Sequence, residues 1–185
     1  MPGGSVSTVA VVGCAAGGVE QVRSHLVLPL RADEHVVTVT LTPAAATWLG
    51  QAGELDQLEA ATGFPVRCTP RLPTEQSPHP RPDLLVVAPA TANSVAKIAL
   101  GISDNQALTL VCENISTTPV IVFPRINAAH ARHPAWEGYL AALRGVGVHL
   151  IYGDDVWPLY EPRDAPSGRD LPWPDIVRTA KQLLS

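Results

Sequence analysis

Residues 83–109 read DLLVVAPATANSVAKIALGISDNQALT, and the fold turns on how this stretch is understood. Residues 84–88 form an unbroken run of Leu, Val and Ala, the pattern of a strand covered on both faces in a parallel sheet. Pro89 is expected to stop that strand. Ala90-Thr91-Ala92-Asn93-Ser94 then leads into a helix with Val95, Ile98, Ala99 and Ile102 along one side. A strand, a turn and a helix start make an anion pocket, because the first N–H groups of a helix have no partner inside it. Thr91, Asn93 and Ser94 add short polar side chains, so a cofactor is expected here.

Upstream, residues 8–13 read as a Val-rich strand running into Gly13-Cys14-Ala15-Ala16-Gly17-Gly18. This loop lacks the GxGxxG spacing, so nucleotide binding and mere close packing both stay open. Residues 19–30, with Val22, Leu26 and Leu30 at helical spacing, read as a helix ended by Pro29 and the charges after it. A second strand is expected at 35–41, closing on Thr42-Pro43-Ala44-Ala45. Thr42 either lines the crevice at the carboxyl end of the sheet or caps a short helix through Trp48 and Leu49, with Pro43 in its first position. A further helix is expected at 54–61 and a short strand at 64–68.

Residues 69–82, TPRLPTEQSPHPRP, carry so many prolines that neither a regular helix nor a central strand fits, which leaves an extended surface loop. It holds Glu75 and His79, and a lone loop histidine is either a solvated side chain or a substrate contact. Downstream, PVIVF at 119–123 reads as a strand ending in Pro124-Arg125-Ile126-Asn127. His133-Pro134 opens a helix that turns Leu140 and Leu143 to the core, and 146–151 supplies the last strand. Strands alternating with helices imply a three-layer α/β fold with a doubly wound parallel sheet, of Rossmann or flavodoxin type. The tail 152–174 looks too irregular for core, and 175–184 forms a closing helix. Trp157, Tyr160 and Trp173 in that tail are expected to make a subunit contact or a lid over a flat ligand, the contact being the plainer reading.

The 185 residues, 46% of them hydrophobic, suffice for one core, and a single domain over 1–185 is expected. A formal net charge of -4 gives no basic field for nucleic acid, and no apolar run approaches the ~18 residues of a membrane span. The first residues lack a positive n-region and read as a short disordered leader, not a signal peptide. Cys14, Cys68 and Cys112 share no metal-ligand spacing and cannot all pair, so reduced thiols in a cytoplasm are expected, with no metal.

The chain resembles the homo-oligomeric flavin-containing cysteine decarboxylases, the flavoprotein family that includes phosphopantothenoylcysteine decarboxylase and the peptidyl-cysteine decarboxylases of lantibiotic maturation. The resemblance is carried by the Gly-small loop after the first strand, by TPAA after the second, by PATANSVAKIALGISDN, and by PRIN followed by HPA, an L-x-x-L pair and GV. It implies FMN, with phosphate and ribityl chain among Gly13, Cys14, Ala15, Thr42, Thr91, Ala92, Asn93 and Ser94. It implies that Asn127, in the place of the PxMN asparagine, holds the carboxylate of a substrate cysteine. The flavin accepts electrons from the thiol-bearing side chain, giving a thioaldehyde from which carbon dioxide leaves. It also implies a homotrimer, or a dodecamer built of trimers, with the flavin at a subunit boundary.

Departures from the family pattern bear on function. Glu75 stands where the family carries its catalytic histidine, with His79 nearer the strand. PxMNxxMW has become PRINAAHA, which loses both methionines and the tryptophan but places His130 one turn from Asn127. No Cys lies beyond Cys112, so the flap cysteine used for reduction to a saturated amine has no counterpart. The expected activity is oxidative decarboxylation of a cysteine-like thiol, a peptide's C-terminal cysteine or a small molecule, giving an enethiol. Asn127, His130 and His79 are the candidate catalytic residues. The alternatives are an FMN-binding regulatory or assembly protein without decarboxylase activity, or another FMN enzyme of this fold, a prenyltransferase or a reductase.

Overall fold

In a computed structural model, which describes residues 6–185, five strands form one sheet in which every paired neighbour is parallel. The leader expected at the N-terminus falls largely on residues 1–5, outside those described. The strands are β1 Thr8–Gly13, β2 Val36–Leu41, β3 Leu84–Ala90, β4 Val120–Pro124 and β5 His149–Leu150, in the order β2-β1-β3-β4-β5. The doubly wound α/β fold expected from the sequence is the fold observed. All of β3 is buried, which explains its continuous apolar run. Leu84, Leu85, Val86 and Val87 each contribute about 1.5 to 3 kcal/mol by leaving water.

Successive strand residues feed two cores. Val9, Val11, Leu84 and Val86 face one side, and Ala10, Val12, Leu85 and Val87 the other. The first side is covered by the helical segment after β1, by α2 Pro43–Gln51, α3 Glu54–Thr62 and α8 Trp173–Leu184. The second is covered by α4 Ala92–Leu100, α5 Gln106–Asn114 and α7 Trp136–Gly145. Helix α5 was not anticipated from the sequence. Asn105 starts it, its side-chain oxygen accepting the Leu108 N–H at 3.1 Å.

Several expectations are corrected. The helix placed at 19–30 is a 3₁₀ turn Val19–Gln21, a π turn Arg23–Val27 and α1 Leu28–Ala32. Pro29 does not end it. The missing donor of Pro29 falls in the first turn of α1, where no intrahelical partner is needed. Pro89 does not stop β3 either: the strand runs on to Ala90 through a register shift that spares the proline from donating. The strand expected at 64–68 is a single bridge between Thr40 and Arg67. The last strand shrinks to two residues because Val146 and Gly147, with φ +86° at the glycine, are spent turning out of α7.

The largest correction concerns the tail. Trp157 and Trp173 are buried, at 4% and 3% exposure, and only Tyr160 of the three aromatics is exposed. The Trp157 ring meets Phe123 of β4 edge-on at 5.9 Å. Trp173 Nε1 donates to Gln21 Oε1 at 2.9 Å and opens α8 two residues ahead of the expected start. The tail is irregular in backbone and yet core in packing. The exposed aromatics are Trp48 on α2 and Tyr160.

Gly18 fastens this tail to the loop after β1. It sits at φ +99°, and an added Cβ would lie 1.8 Å from Leu171 Cδ1. Gly18→Ala combines left-handed strain with overpacking and is expected to cost about 3 kcal/mol. Urea unfolding of the two proteins measures the difference, and a change under about 0.5 kcal/mol, the scale of a neutral surface substitution, would contradict the close packing of Gly18 on Leu171.

Candidate functional site

The strand order reverses direction between β1 and β3, and the chain leaves these two strands toward opposite faces. In an open parallel sheet the crevice at such a point, outside the carboxyl ends of the strands, is where ligands bind. The loop after β1 is held there from both sides. Thr42 N–H donates to Gly13 O at 3.0 Å, and Cys14 N–H donates to Pro89 O at 3.1 Å. The Cys14 thiol is buried against Ser94 and Thr91, and burial pushes it above the ordinary thiol range. Gly13 has no room for a side chain, since a Cβ would lie 2.8 Å from Leu41 Cδ2.

Thr91 caps α4. Its hydroxyl accepts the Ser94 N–H at 3.1 Å and donates to the Ser94 hydroxyl at 3.0 Å. Ser94 is therefore buried and occupied, and Cys14 is buried beside it. The N–H groups of Ala92 and Asn93 have no partner among the described residues, and the Asn93 side chain is exposed. Thr42 starts α2 with Pro43 in its first turn, but its hydroxyl makes no capping bond. Thr42 thus starts α2 by position without capping it, and its hydroxyl lies at the carboxyl end of β2. The cofactor candidates Gly13, Cys14, Ala15, Thr42, Thr91, Ala92, Asn93 and Ser94 come together at the ends of β1, β2 and β3.

Asn127 and His130 come together within one chain, and His79 does not join them. Asn127 follows β4 and caps the short helix α6 Ala128–Ala131, its side-chain oxygen accepting the His130 N–H at 3.0 Å. Its amide NH2 remains as a donor. His130 is exposed. His79 lies instead beside β2, where Nε2 meets Pro65 O at 2.8 Å and the ring stands edge-on to Phe64. Three strand spacings, roughly 14 Å, separate β2 from β4. The proline-rich loop that carries His79 roofs a cavity of about 560 Å³ against α5, with Arg67, Arg71 and Arg81 also at its wall.

Sequence reasoning missed a basic cluster on the opposite face. Arg125 leaves the end of β4, its N–H bonded to Ala90 O at 2.8 Å, and its guanidinium carbon lies 5.1 Å from the Trp157 ring centroid. Arg169 from the tail stacks on the same ring at 3.6 Å and on Tyr160 at 4.5 Å. The arginine within PRIN was a visible signal, but its partner sits in a segment with no pattern to place it. Among the described residues there is no group of His, Cys, Asp and Glu that could hold a metal, and no helix long and apolar enough to cross a membrane.

The Flavoprotein family pattern matches residues 5–185. The chain belongs to the Flavoprotein family. Among curated relatives it is 30% identical over 182 residues to the coenzyme A biosynthesis bifunctional protein CoaBC of Mycobacterium tuberculosis, covering 94% of this chain and 40% of that one. It is 36% identical over 69 residues to CoaBC of Thermococcus kodakarensis, covering 37% of this chain and 17% of that one. The chain thus spans well under half the length of these relatives. The crystal structure of the FMN-dependent cysteine decarboxylase TvaF from thioviridamide biosynthesis superposes with a TM-score of 0.74 at 23% identity, covering 97% of this chain and 99% of that one. The cypemycin decarboxylase CypD superposes with a TM-score of 0.70 at 19% identity, covering 98% and 95%.

The residues present fit a flavin nucleotide. Two unpartnered N–H groups at the start of α4, an unused Thr42 hydroxyl and a β1 loop with no side chain at Gly13 make a cradle for a phosphate and a polyol. Removing the cap that shapes this helix start, by Thr91→Ala, is expected to cost about 1 kcal/mol of stability, with Thr91→Ser near the parent protein in a denaturant titration. Equal stability of all three would contradict the capping role.

Burial lowers the pKa of His79 below the ordinary imidazole value of about 6.5, aided by the nearby Arg67 and opposed by the bond to Pro65 O. Below that ordinary value the unfolded chain binds the proton more readily than the folded one. The neutral ring's contribution is therefore complete above about pH 6.5 and is lost as pH falls through the folded pKa. NMR titration is expected to place His79 below a model imidazole. Comparison of pH–stability profiles is expected to show that His79→Gln removes part of the acid-side decline, and an unchanged profile would contradict this assignment.

Proposed function

We propose that this protein binds FMN in the cradle between β1, β2 and α4 and oxidatively decarboxylates a cysteine-like thiol, a peptide's C-terminal cysteine, leaving an enethiol. The observation that carries the reading is Asn127. Its side-chain oxygen is spent on the His130 N–H, so the amide is held in one orientation with only its NH2 group to offer. A fixed donor at the end of β4 suits a substrate carboxylate, and the hydrogen bond to that charge is worth roughly 1.5 to 3 kcal/mol. The flavin supplies a two-electron acceptor for the thiol-bearing carbon. Asn127 orients the carboxylate that departs as carbon dioxide, and His130, one turn further on, is the group to hold or deliver a proton. The decarboxylases TvaF and CypD, which share the fold, support this reaction class.

The distance between His79 and Asn127 gives assembly a function. A site that uses the proline-rich loop of one copy and the β4 end of another needs a homo-oligomer, a trimer or a dodecamer of trimers. Trp48, Leu100 and Ile102 are exposed and offer apolar contact surface. Light scattering is expected to give a multiple of the chain mass, and the mass of a single chain would overturn the shared site.

The purified protein is expected to be yellow. Asn93→Asp is expected to weaken FMN binding by placing a carboxylate at the anion pocket, whereas Asn127→Ala keeps the flavin and lowers turnover about 10- to 100-fold, the equivalent of one charge-assisted hydrogen bond. His130→Ala is expected to reduce turnover more than His79→Ala. These are read by flavin fluorescence and by mass spectrometry of cysteine-ended peptides under anaerobic conditions. A second reading, an FMN-binding regulatory protein, draws on Glu75 at the family histidine's place and on the exposed setting of His130. It takes over if the flavin stays oxidised with every such peptide and aminothiol.

A further inference from the structure

A cavity of about 260 Å³ opens at the carboxyl edge of the sheet, on the face opposite the start of α4, lined by Gly17, Gly18, Glu20, Arg125, Arg169 and Leu171. Two guanidinium groups share it. Arg169 is placed by its stacking on Trp157 and Tyr160 and by one bond, Nη2 to Pro158 O at 2.7 Å. Arg125 makes no side-chain hydrogen bond among the described residues, and its buried Nε has no partner. Glu20 lines the same cavity but makes no hydrogen bond to Arg125; its Oε2 accepts the Gly18 N–H at 3.0 Å. Burial and the charge of Arg169 both act against the protonated form of Arg125, and Glu20 only partly offsets them.

Buried donors are nearly always satisfied, and a cation drawn from water is stabilised only by a partner. Here an aromatic wall positions both cations, yet the guanidinium of Arg125 borders the cavity without a hydrogen-bond partner among the described residues. Trp157 Nε1, on the ring that both approach, is a second buried donor without a partner among the described residues. Gly17 borders Arg125, and a Cβ there would lie at an ordinary contact distance, 3.8 Å, from Arg125 Nη2. The missing element is a compact oxyanion, which two guanidinium groups bind through paired, charge-assisted hydrogen bonds.

We propose that Arg125 and Arg169 form an oxyanion site, separate from the FMN cradle, that takes a carboxylate or phosphate group of the substrate remote from its reacting thiol. Arg125 stands two residues before Asn127 on the same segment, at most about 7 Å of backbone away, and both are assigned to one ligand. The substrate would carry two anionic groups, one at Asn127 that is lost as carbon dioxide and one at the arginine pair that is kept. That the anion belongs to the thiol substrate rests on the decarboxylase reading, whereas the site itself does not.

The test titrates the FMN-loaded protein with sodium phosphate, with succinate, and with sodium chloride at matched ionic strength, following tryptophan emission, to which Trp157, the ring that both arginines approach, contributes. A saturable change with phosphate or succinate and none with chloride is expected. Arg125→Gln and Arg169→Gln are each expected to weaken it at least tenfold with FMN retained, and Arg125→Lys to fall between. Saturation by phosphate alone identifies a phosphate-bearing substrate, and by succinate alone a carboxylate-bearing one. Identical linear responses to all three salts would overturn the site, as would a normal titration in Arg169→Gln. Loss of flavin from either variant would assign the pair to the cofactor and also overturn it. None of these measurements needs turnover, so the oxyanion site can stand or fall apart from the decarboxylase reading.

Discussion

Cys14 lies where the winding of the sheet reverses, and its N–H is bound to the carbonyl of Pro89, a residue that has no N–H of its own to give to the sheet. Its thiol sits under the start of α4 against Ser94, while the neighbouring Gly13 carbonyl takes the Thr42 N–H. One short loop thereby ties together the ends of β2, β1 and β3. The cradle proposed for FMN exists because these ends are locked in register. Every other feature of the crevice is referred to that loop: the capped start of α4, the free hydroxyl of Thr42, and the entry of the first helical segment at Gly18.

The tail adds a second, less visible constraint. It crosses the carboxyl edge on the opposite face and is pinned by Trp157 on Phe123, Leu171 on Gly18 and Trp173 on Gln21. These contacts bury large apolar area at points with no regular backbone. They also deliver Arg169 to the ring against which Arg125 rests. The result is a carboxyl edge with a polar, anion-accepting cradle on one side and a basic cavity on the other. Asn127 lies on the segment that runs on from Arg125, after the end of β4.

The proline-rich loop shows how a departure in sequence becomes a rearrangement in space. With prolines along its length the loop cannot pair with β2, and it lies across the edge of α5, where His79 is half-buried and bonded to Pro65 O. A histidine held there stands three strand spacings from the β4 end that carries Asn127 of its own chain. That physical separation, more than the residue substitution itself, is why the proposed reaction involves a second copy of the chain.

Reading the sequence alone was enough for the parallel sheet and for the gathering of small and polar residues at the ends of β1, β2 and β3, because both depend on short-range pattern. Doubly buried strands require unbroken apolar runs, and a helix start that receives an anion requires small polar residues directly after the strand, as in Pro89-Ala90-Thr91-Ala92-Asn93-Ser94. The short helix α5 was missed because its start, Asp104-Asn105, looks like a continuation of the turn after α4. Residues 19–30 read as one regular helix in sequence because periodicity cannot distinguish α, 3₁₀ and π turns. The burial of Trp157 and Trp173, the pairing of Arg125 with Arg169, and the distance between His79 and Asn127 were decided by tertiary structure alone. Each brings together residues far apart in sequence through an irregular segment, where no repeat along the chain marks which side chain turns inward.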